Sequence, residues 1–357
     1  MRMLPALGAL GAVSLALTGC AAAADGADPA GDGLQIVVTT TQLADVTREL
    51  VGDAAEVTSL LQPGASAHAF DPGPTALTAL AQADLLIVSG AGLETWLDAT
   101  VEASGFSGQL VDTSRALDLI ASEDDPHAGH DHGDEHAGHE HAGHDHADET
   151  DVHAEDDHAQ DGHEGHDHGA YDPHVWTDPG NVILQAEAIV DAVTAADPGA
   201  DITASATAYI EQLQALDTWM RDSIDQVPVE ERLVVTTHDT FGYLERAFDV
   251  QVVGTVLPSL DDSADASAAH IDELVAEIRD SGAPVVFSEN AIDPQLAATI
   301  AREAGVELRQ GDDALAADAL GQPGSDTATY IGAQIHNTTA MVTAWGTQPL
   351  PVPESLS

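Results

Sequence analysis

Lysine is absent from this chain, and cysteine occurs once, at Cys20. A single thiol permits no disulfide within the chain and no all-thiolate zinc site. Any tight metal site must therefore be built from imidazole and carboxylate. Positive charge is scarce: nine basic residues, all arginine, stand against 62 acidic ones, for a formal net charge of −53. That balance excludes nucleic acid and anionic lipid as partners and makes a cationic ligand the easier expectation, although an acidic surface also serves plain solubility. The apolar run Leu4 to Leu17 is too short and too rich in Ala and Gly to span a membrane. What remains is ordinary: 357 residues with 43% apolar content are enough to bury a core in one large or two medium domains.

The chain divides by composition. Residues 1–20 read as a signal peptide, with Arg2 as the positive start and an apolar stretch ending in Leu17-Thr18-Gly19-Cys20. This ending resembles the bacterial lipobox, which implies cleavage before Cys20, lipid on its sulfur, and a chain held at the outer face of the cell membrane or in the periplasm. Residues 21–33 are small and polar, as a flexible tether should be. Residues 34–199 are expected to form an N-terminal lobe, 200–227 a linking helix, 228–347 a C-terminal lobe and 348–357 a tail.

Within the first lobe, strands are expected at 35–40, 56–61, 84–89 and 109–112, and helices at 42–51, 75–83, 92–101 and 181–195. Residues 201–226 read as one long helix that reaches from one lobe to the other. Strands at 232–237, 250–256, 285–288 and 306–309 then alternate with helices at 241–248, 263–281 and 327–345. A further helix opens at Asp293-Pro294, with Asp as cap and Pro as first residue. Strands alternating with helices predict an α/β fold: two similar lobes, each a mainly parallel sheet flanked by helices. In such sheets ligands bind in loops at the carboxyl ends of strands.

Thirteen of the 18 histidines fall in the 49-residue run Ser122 to Ala170. The run lacks large apolar residues and is expected to be disordered. Its repeated unit is His-x-His, as at His130 and His132, His139 and His141, His144 and His146, and His166 and His168. Neutral imidazole ligates zinc, copper and nickel, so weak, exchangeable metal binding is the expectation there. Three other histidines sit among apolar neighbours: His68 in Ala67-His-Ala-Phe-Asp-Pro72, His174 in Asp172-Pro-His-Val-Trp176, and His238 in Val234-Val-Thr-Thr-His-Asp-Thr-Phe241. His68 follows a predicted strand. The fold is expected to gather these three on one metal ion. His270 and His336 read as ordinary helix residues, and Glu289, after a predicted strand, as a support behind the metal ligands. Trp96, Trp176, Phe241 and Tyr243 are candidates for an apolar wall.

Taken together, five stretches resemble the solute-binding lipoproteins of zinc/manganese-class ABC importers. They are Ala67 to Pro72, Ala83 to Leu97, Asp172 to Pro179, Thr237 to Tyr243, and Asp318 to Gly321 with Thr329 to Ile331. The resemblance implies two lobes joined by one long helix, a metal site in the cleft, a monomer, and delivery of the metal to a membrane permease. It also implies a ligand set of His68, His174, His238 and Asp318. Asp312 and Asp313 lie close to Asp318, and only the family pattern selects 318. The family's manganese members resemble a pattern with Glu at the third position. Histidine at 238 favours Zn2+ as the bound ion, with Mn2+ the alternative. An extracellular metal buffer or adhesin is a second reading. A zinc hydrolase is a third, but it needs an open coordination position and a nearby base, and no His-Glu-x-x-His helix is present. No enzymatic activity is expected.

Overall fold

β1 (Leu34–Val38) is the inner strand on which the first half is built. A computed structural model describes residues 33–122, 170–262 and 264–356. The proposed signal peptide with Cys20 and the tether up to residue 32 lie outside the described residues. So do the paired histidines expected to bind metal weakly: His130, His132, His139, His141, His144, His146, His166 and His168. After β1 come α1 (Thr41–Val51), β2 (Ala55–Ser59), α2 (Pro74–Gln82), β3 (Leu85–Val88), α3 (Leu97–Ser104) and β4 (Gln109–Asp112). The four strands form one parallel sheet in the order β2-β1-β3-β4. All four residues of β3 are buried, as expected of a strand covered on both faces. Thr40 caps α1 by accepting from the Leu43 N–H, and Leu43, Val46 and Leu50 turn one face of that helix into the core.

The second half repeats the plan after two long helices, α4 (Pro179–Ala196) and α5 (Thr203–Ile224). It contains β5 (Leu233–Thr236), α6 (Gly242–Phe248), β6 (Gln251–Thr255), α7 (Ala268–Ser281), β7 (Val285–Phe287), α8 (Gln295–Ala304), β8 (Glu307–Arg309) and α9 (Tyr330–Ala344). β5 pairs with β6 and β7 with β8, both in parallel, and β5 runs beside β7. The architecture is α/β, with parallel sheets flanked by helices.

Three expectations need correction. α5 has 22 residues, roughly 33 Å at 1.5 Å per residue, rather than a span from 201 to 226. Pro228 disfavours helical geometry at Val227, and the chain leaves the helix through a turn in which the Val227 N–H meets Ile224 O at 2.9 Å. The helix expected at 92–101 begins only at Leu97, because Gly90, Ala91 and Gly92 take positive φ of 80°, 55° and 86°. Those three residues wind around Glu94, whose buried carboxylate accepts from the Ser89 and Gly90 N–H groups and from the Thr39 hydroxyl. At α8, Pro294 is itself the cap residue; the Asp293 carboxylate accepts from the Gln295 N–H at 3.0 Å.

The core is not simply one per half. Leu233, Val235, Leu274, Ile278, Val286 and Ile300 form a separate cluster in the second half, and Val37, Leu80, Leu86 and Val88 another beneath α2 and α3. The largest cluster runs through both halves. It joins Ile36, Leu50 and Leu85 to Leu213, Trp219 and Met220 of α5, and on to Phe241, Phe287 and Met341. α5 packs on α1, α4 and α9. The chain end returns to α5, where the Trp219 indole donates to Leu350 O at 3.0 Å.

Candidate metal centre

His68, His174, His238 and Asp318 converge: one ligand atom from each lies within 4.8 Å of all the others. Each arrives from a different part of the fold. His68 stands on the loop between β2 and α2, and its side chain is 9% exposed. Ala67 before it is fully buried and leaves no place for a carboxylate there; its carbonyl accepts from the Trp96 indole at 3.4 Å. His174 precedes a single 3-10 turn, Val175–Thr177. His238 sits just past the carboxyl end of β5. Asp318 lies in the segment between β8 and α9.

Two of the imidazoles are oriented by carboxylates. Asp172 Oδ1 accepts from the His174 backbone N–H at 2.9 Å and lies 2.8 Å from Nδ1. Glu289 Oε2 lies 2.6 Å from Nδ1 of His238, while its Oε1 accepts from the N–H groups of Thr237 and His238. A proton on each Nδ1 leaves Nε2 as a lone-pair donor facing the centre. The Thr240 hydroxyl also touches the His238 ring, 2.6 Å from Nε2.

Asp318 is held without use of its carboxylate. The Ala317 carbonyl accepts from Gln42 and from the Trp176 indole, and the Ala319 carbonyl from Asn290. Asn337 takes both backbone groups of Ala316, and the Leu320 N–H donates to Thr41. Both Asp318 oxygens are buried and meet no group but the three imidazoles. Buried acceptors with so few partners are costly, so this pair of oxygens is suited to a cation.

The spacing fits a small ion. His68 Nε2 is 3.1 Å from His174 Nε2 and 3.5 Å from Asp318 Oδ2. His238 Nε2 is 3.3 Å from Asp318 Oδ2, and His174 Nε2 is 3.6 Å from Asp318 Oδ1. Tetrahedral zinc with bonds near 2.0–2.1 Å sets its donors about 3.3 Å apart, close to these four separations, while the whole set lies within 4.8 Å. The electrostatics match. Although burial alone would raise it, the three imidazoles hold the Asp318 carboxyl well below its ordinary range. His238 is pushed the other way: burial disfavours its charge, but Glu289 and Asp318 lift its proton affinity well above the usual value. Burial lowers that of His68, with Asp318 only partly opposing.

Asp312, Asp313, His270 and His336 are not part of the cluster. Asp312 and Asp313 lie on an exposed turn, where Asp313 is 3.7 Å from Arg309. His270 meets Thr255 O, and His336 meets Ala314 O. The Trp176 ring stands edge-on to His174 at 5.4 Å, and Phe241 is buried. Tyr243 does more than line a wall, since its hydroxyl donates to Asp172 O at 2.8 Å. Sequence reasoning missed Asp172 and Thr240 as supports. The carboxylate two residues before His174 was the one local signal available.

Parallel sheets in two halves, with donors from both meeting between them, define a metal-binding solute-binding protein of the ABC-importer kind. The chain belongs to the family described as ZnuA, zinc-uptake complex component A, periplasmic, whose model matches residues 36–344. It is 27% identical over 332 residues to the manganese-binding lipoprotein MntA of Halalkalibacterium halodurans, covering 92% of this chain and 94% of that one. It is also 27% identical over 333 residues to the zinc-binding protein TroA of Treponema pallidum, with the same coverage of 92% and 94%. The solved structure of periplasmic zinc-binding TroA from that organism superposes with a TM-score of 0.69 at 23% identity, covering 88% of this chain and 99% of the other. The family is one of solute-binding proteins, not of enzymes. Among the described residues no helix is long and apolar enough to cross a membrane.

Proposed function

We propose that this protein captures zinc outside the cytoplasm and passes it to an ABC-type permease. His68, His174, His238 and Asp318 are the four ligands in this reading. The observation that carries it is their convergence around two carboxylate oxygens that have no other partner. Three imidazoles and one carboxylate suit zinc, whereas manganese favours a harder, more oxygen-rich set. The two relatives above are named for different ions, so the choice of zinc rests on the donor set. Lipid on Cys20 would anchor the chain as a monomer at the outer face of the membrane. The tether to residue 33 would let its lobes reach the permease. In this reading the pairs His130 and His132, His139 and His141, His144 and His146, and His166 and His168 hold further zinc weakly and exchangeably.

Metal analysis of protein purified without chelator or added metal is expected to find one tightly held zinc per chain. Competition titration should show zinc preferred to manganese by a wide margin; comparable affinities would overturn the zinc reading. Asp318→Ala should weaken binding strongly, while Asp312→Ala and Asp313→Ala leave it unchanged. Pull-down of a permease from the source cells separates import from buffering.

A further inference from the structure

Residues 118–122 and 170–172 are the two ends between which the histidine-rich run is inserted, and they are stitched together. The Ser122 N–H donates to Ala170 O at 3.0 Å, the Asp172 N–H to Ile120 O at 2.9 Å, and Ala121 bridges Tyr171 in antiparallel fashion. This stem belongs to the first half of the chain. It is fastened to the second half by two side chains of α6, Tyr243 and, further out, Arg246. The Tyr243 hydroxyl, on a fully buried residue near the start of α6, accepts from the Ile120 N–H at 3.1 Å and donates to Asp172 O at 2.8 Å. One oxygen thus holds both strands of the stem.

Asp172 is also the residue that orients His174, through the two contacts to its Oδ1. Its other oxygen lies against Gly242, where a Cβ would come within 2.7 Å. Glycine at 242 therefore lets α6 approach the Asp172 carboxylate closely. Outside these contacts, Arg246 of α6 stacks over the Tyr243 ring at 5.0 Å and donates to Asp118 O at 2.9 Å. The same helix begins four residues after His238, so α6 spans the distance between the supports of two ligands.

We propose that Tyr243 is a positioning residue of the metal centre: it clamps the stem to α6 and thereby fixes Asp172, and through it the His174 ring, against His238. The inference rests on the metal-binding reading above. It also gives the stem a purpose, which is to isolate His174 from whatever the inserted run does. The phenol is suited to this because it supplies a donor and an acceptor at one atom; phenylalanine keeps the ring and removes both.

The test uses the full chain, with zinc competition titration and the visible spectrum of the cobalt-substituted protein as readouts. Tyr243→Phe should weaken zinc binding about tenfold to a hundredfold, the usual effect of losing support behind a ligand. It should also alter the cobalt spectrum, which a merely structural contact would leave alone. Arg302→Gln, at an exposed position on α8 away from the stem, should leave affinity and spectrum as they were. Deleting residues 124–168 should be silent in the unsubstituted protein but should shift affinity further in Tyr243→Phe. An unchanged affinity and spectrum in Tyr243→Phe, with the parent binding one zinc, would overturn the role of Tyr243. A parent that binds no metal at a single tight site would instead overturn the metal reading on which it rests. Near-ultraviolet circular dichroism of the metal-free variants establishes that they are folded.

Discussion

Glu289 divides one carboxylate between two roles, with Oε1 taking two backbone N–H groups and Oε2 facing Nδ1 of His238. With Asp318 it keeps the metal-free imidazole protonated above its ordinary range. Because zinc needs the neutral ring, binding should release a proton, and affinity should rise with pH until that raised value is passed. Glu289→Gln preserves the shape and the backbone acceptor but removes the charge. It should lower zinc affinity by about tenfold to a hundredfold. It should also reduce the proton released near neutral pH, measured by calorimetry in two buffers of different ionisation enthalpy. At this scale the sequence was informative where chemistry was local. Three histidines among apolar neighbours stood out from thirteen in polar repeats. Asp318 was selected over Asp312 and Asp313 by family resemblance alone. Tyr243 was opaque as a polar anchor because its partner Ile120 lies 123 residues away in sequence.

Elements were legible by period, and their ends were not. The buried strand 85–88 and the apolar face of α1 followed from pattern. The late start of α3 depended on a buried carboxylate that turns the chain, which no periodicity reveals. A second acid of this kind joins two elements. Asp45 on α1 accepts from the Tyr330 N–H at 2.7 Å, at the first residue of α9. Burial raises its pKa from 3.8 to about 6. The folded state therefore binds this proton more tightly than the unfolded chain does. Ionised Asp45 costs stability above about pH 6, and the cost disappears as pH falls through 6 toward 4. Asp45→Asn retains an acceptor for Tyr330. It should stabilise the fold by ~1–2 kcal/mol at pH 7.5, allowing for partial exposure, and by almost nothing at pH 4. Chemical denaturation at the two pH values checks this, and equal gains at both would remove burial of charge as the cause.

Across the whole molecule, one core cluster passes from the first sheet through α5 to the second half. Separate clusters form only away from this shared core, one in each half. Side-chain volume shared between distant segments is not written in any local pattern, so the merging of the inner faces could not be read from the sequence. The proposed role of the histidine-rich run concerns the rate of capture. If it raises the local concentration of metal near the cleft, deleting residues 124–168 should slow zinc capture from a competing chelator at pH 7.5 while leaving the equilibrium constant of the cleft unchanged. At pH 5.5 the two proteins should take up zinc at similar rates, since unperturbed imidazoles are then mostly protonated. Stopped-flow uptake decides it; equal rates at pH 7.5 with scarce zinc would leave the run as a store or spacer.

The stem at Ala121 and Tyr171 has a consequence for protein engineering. Its paired backbones sit about as close as any two antiparallel neighbours, roughly 5 Å apart at Cα. A segment inserted there begins and ends at almost the same point. Doubling its length should cost only about 0.6 kcal/mol in closure entropy. The stem is therefore a natural port for foreign cargo whose own termini lie side by side. A fluorescent domain spliced in place of residues 124–168 would be rooted within a few residues of His174 and should leave the zinc affinity of the cluster unchanged.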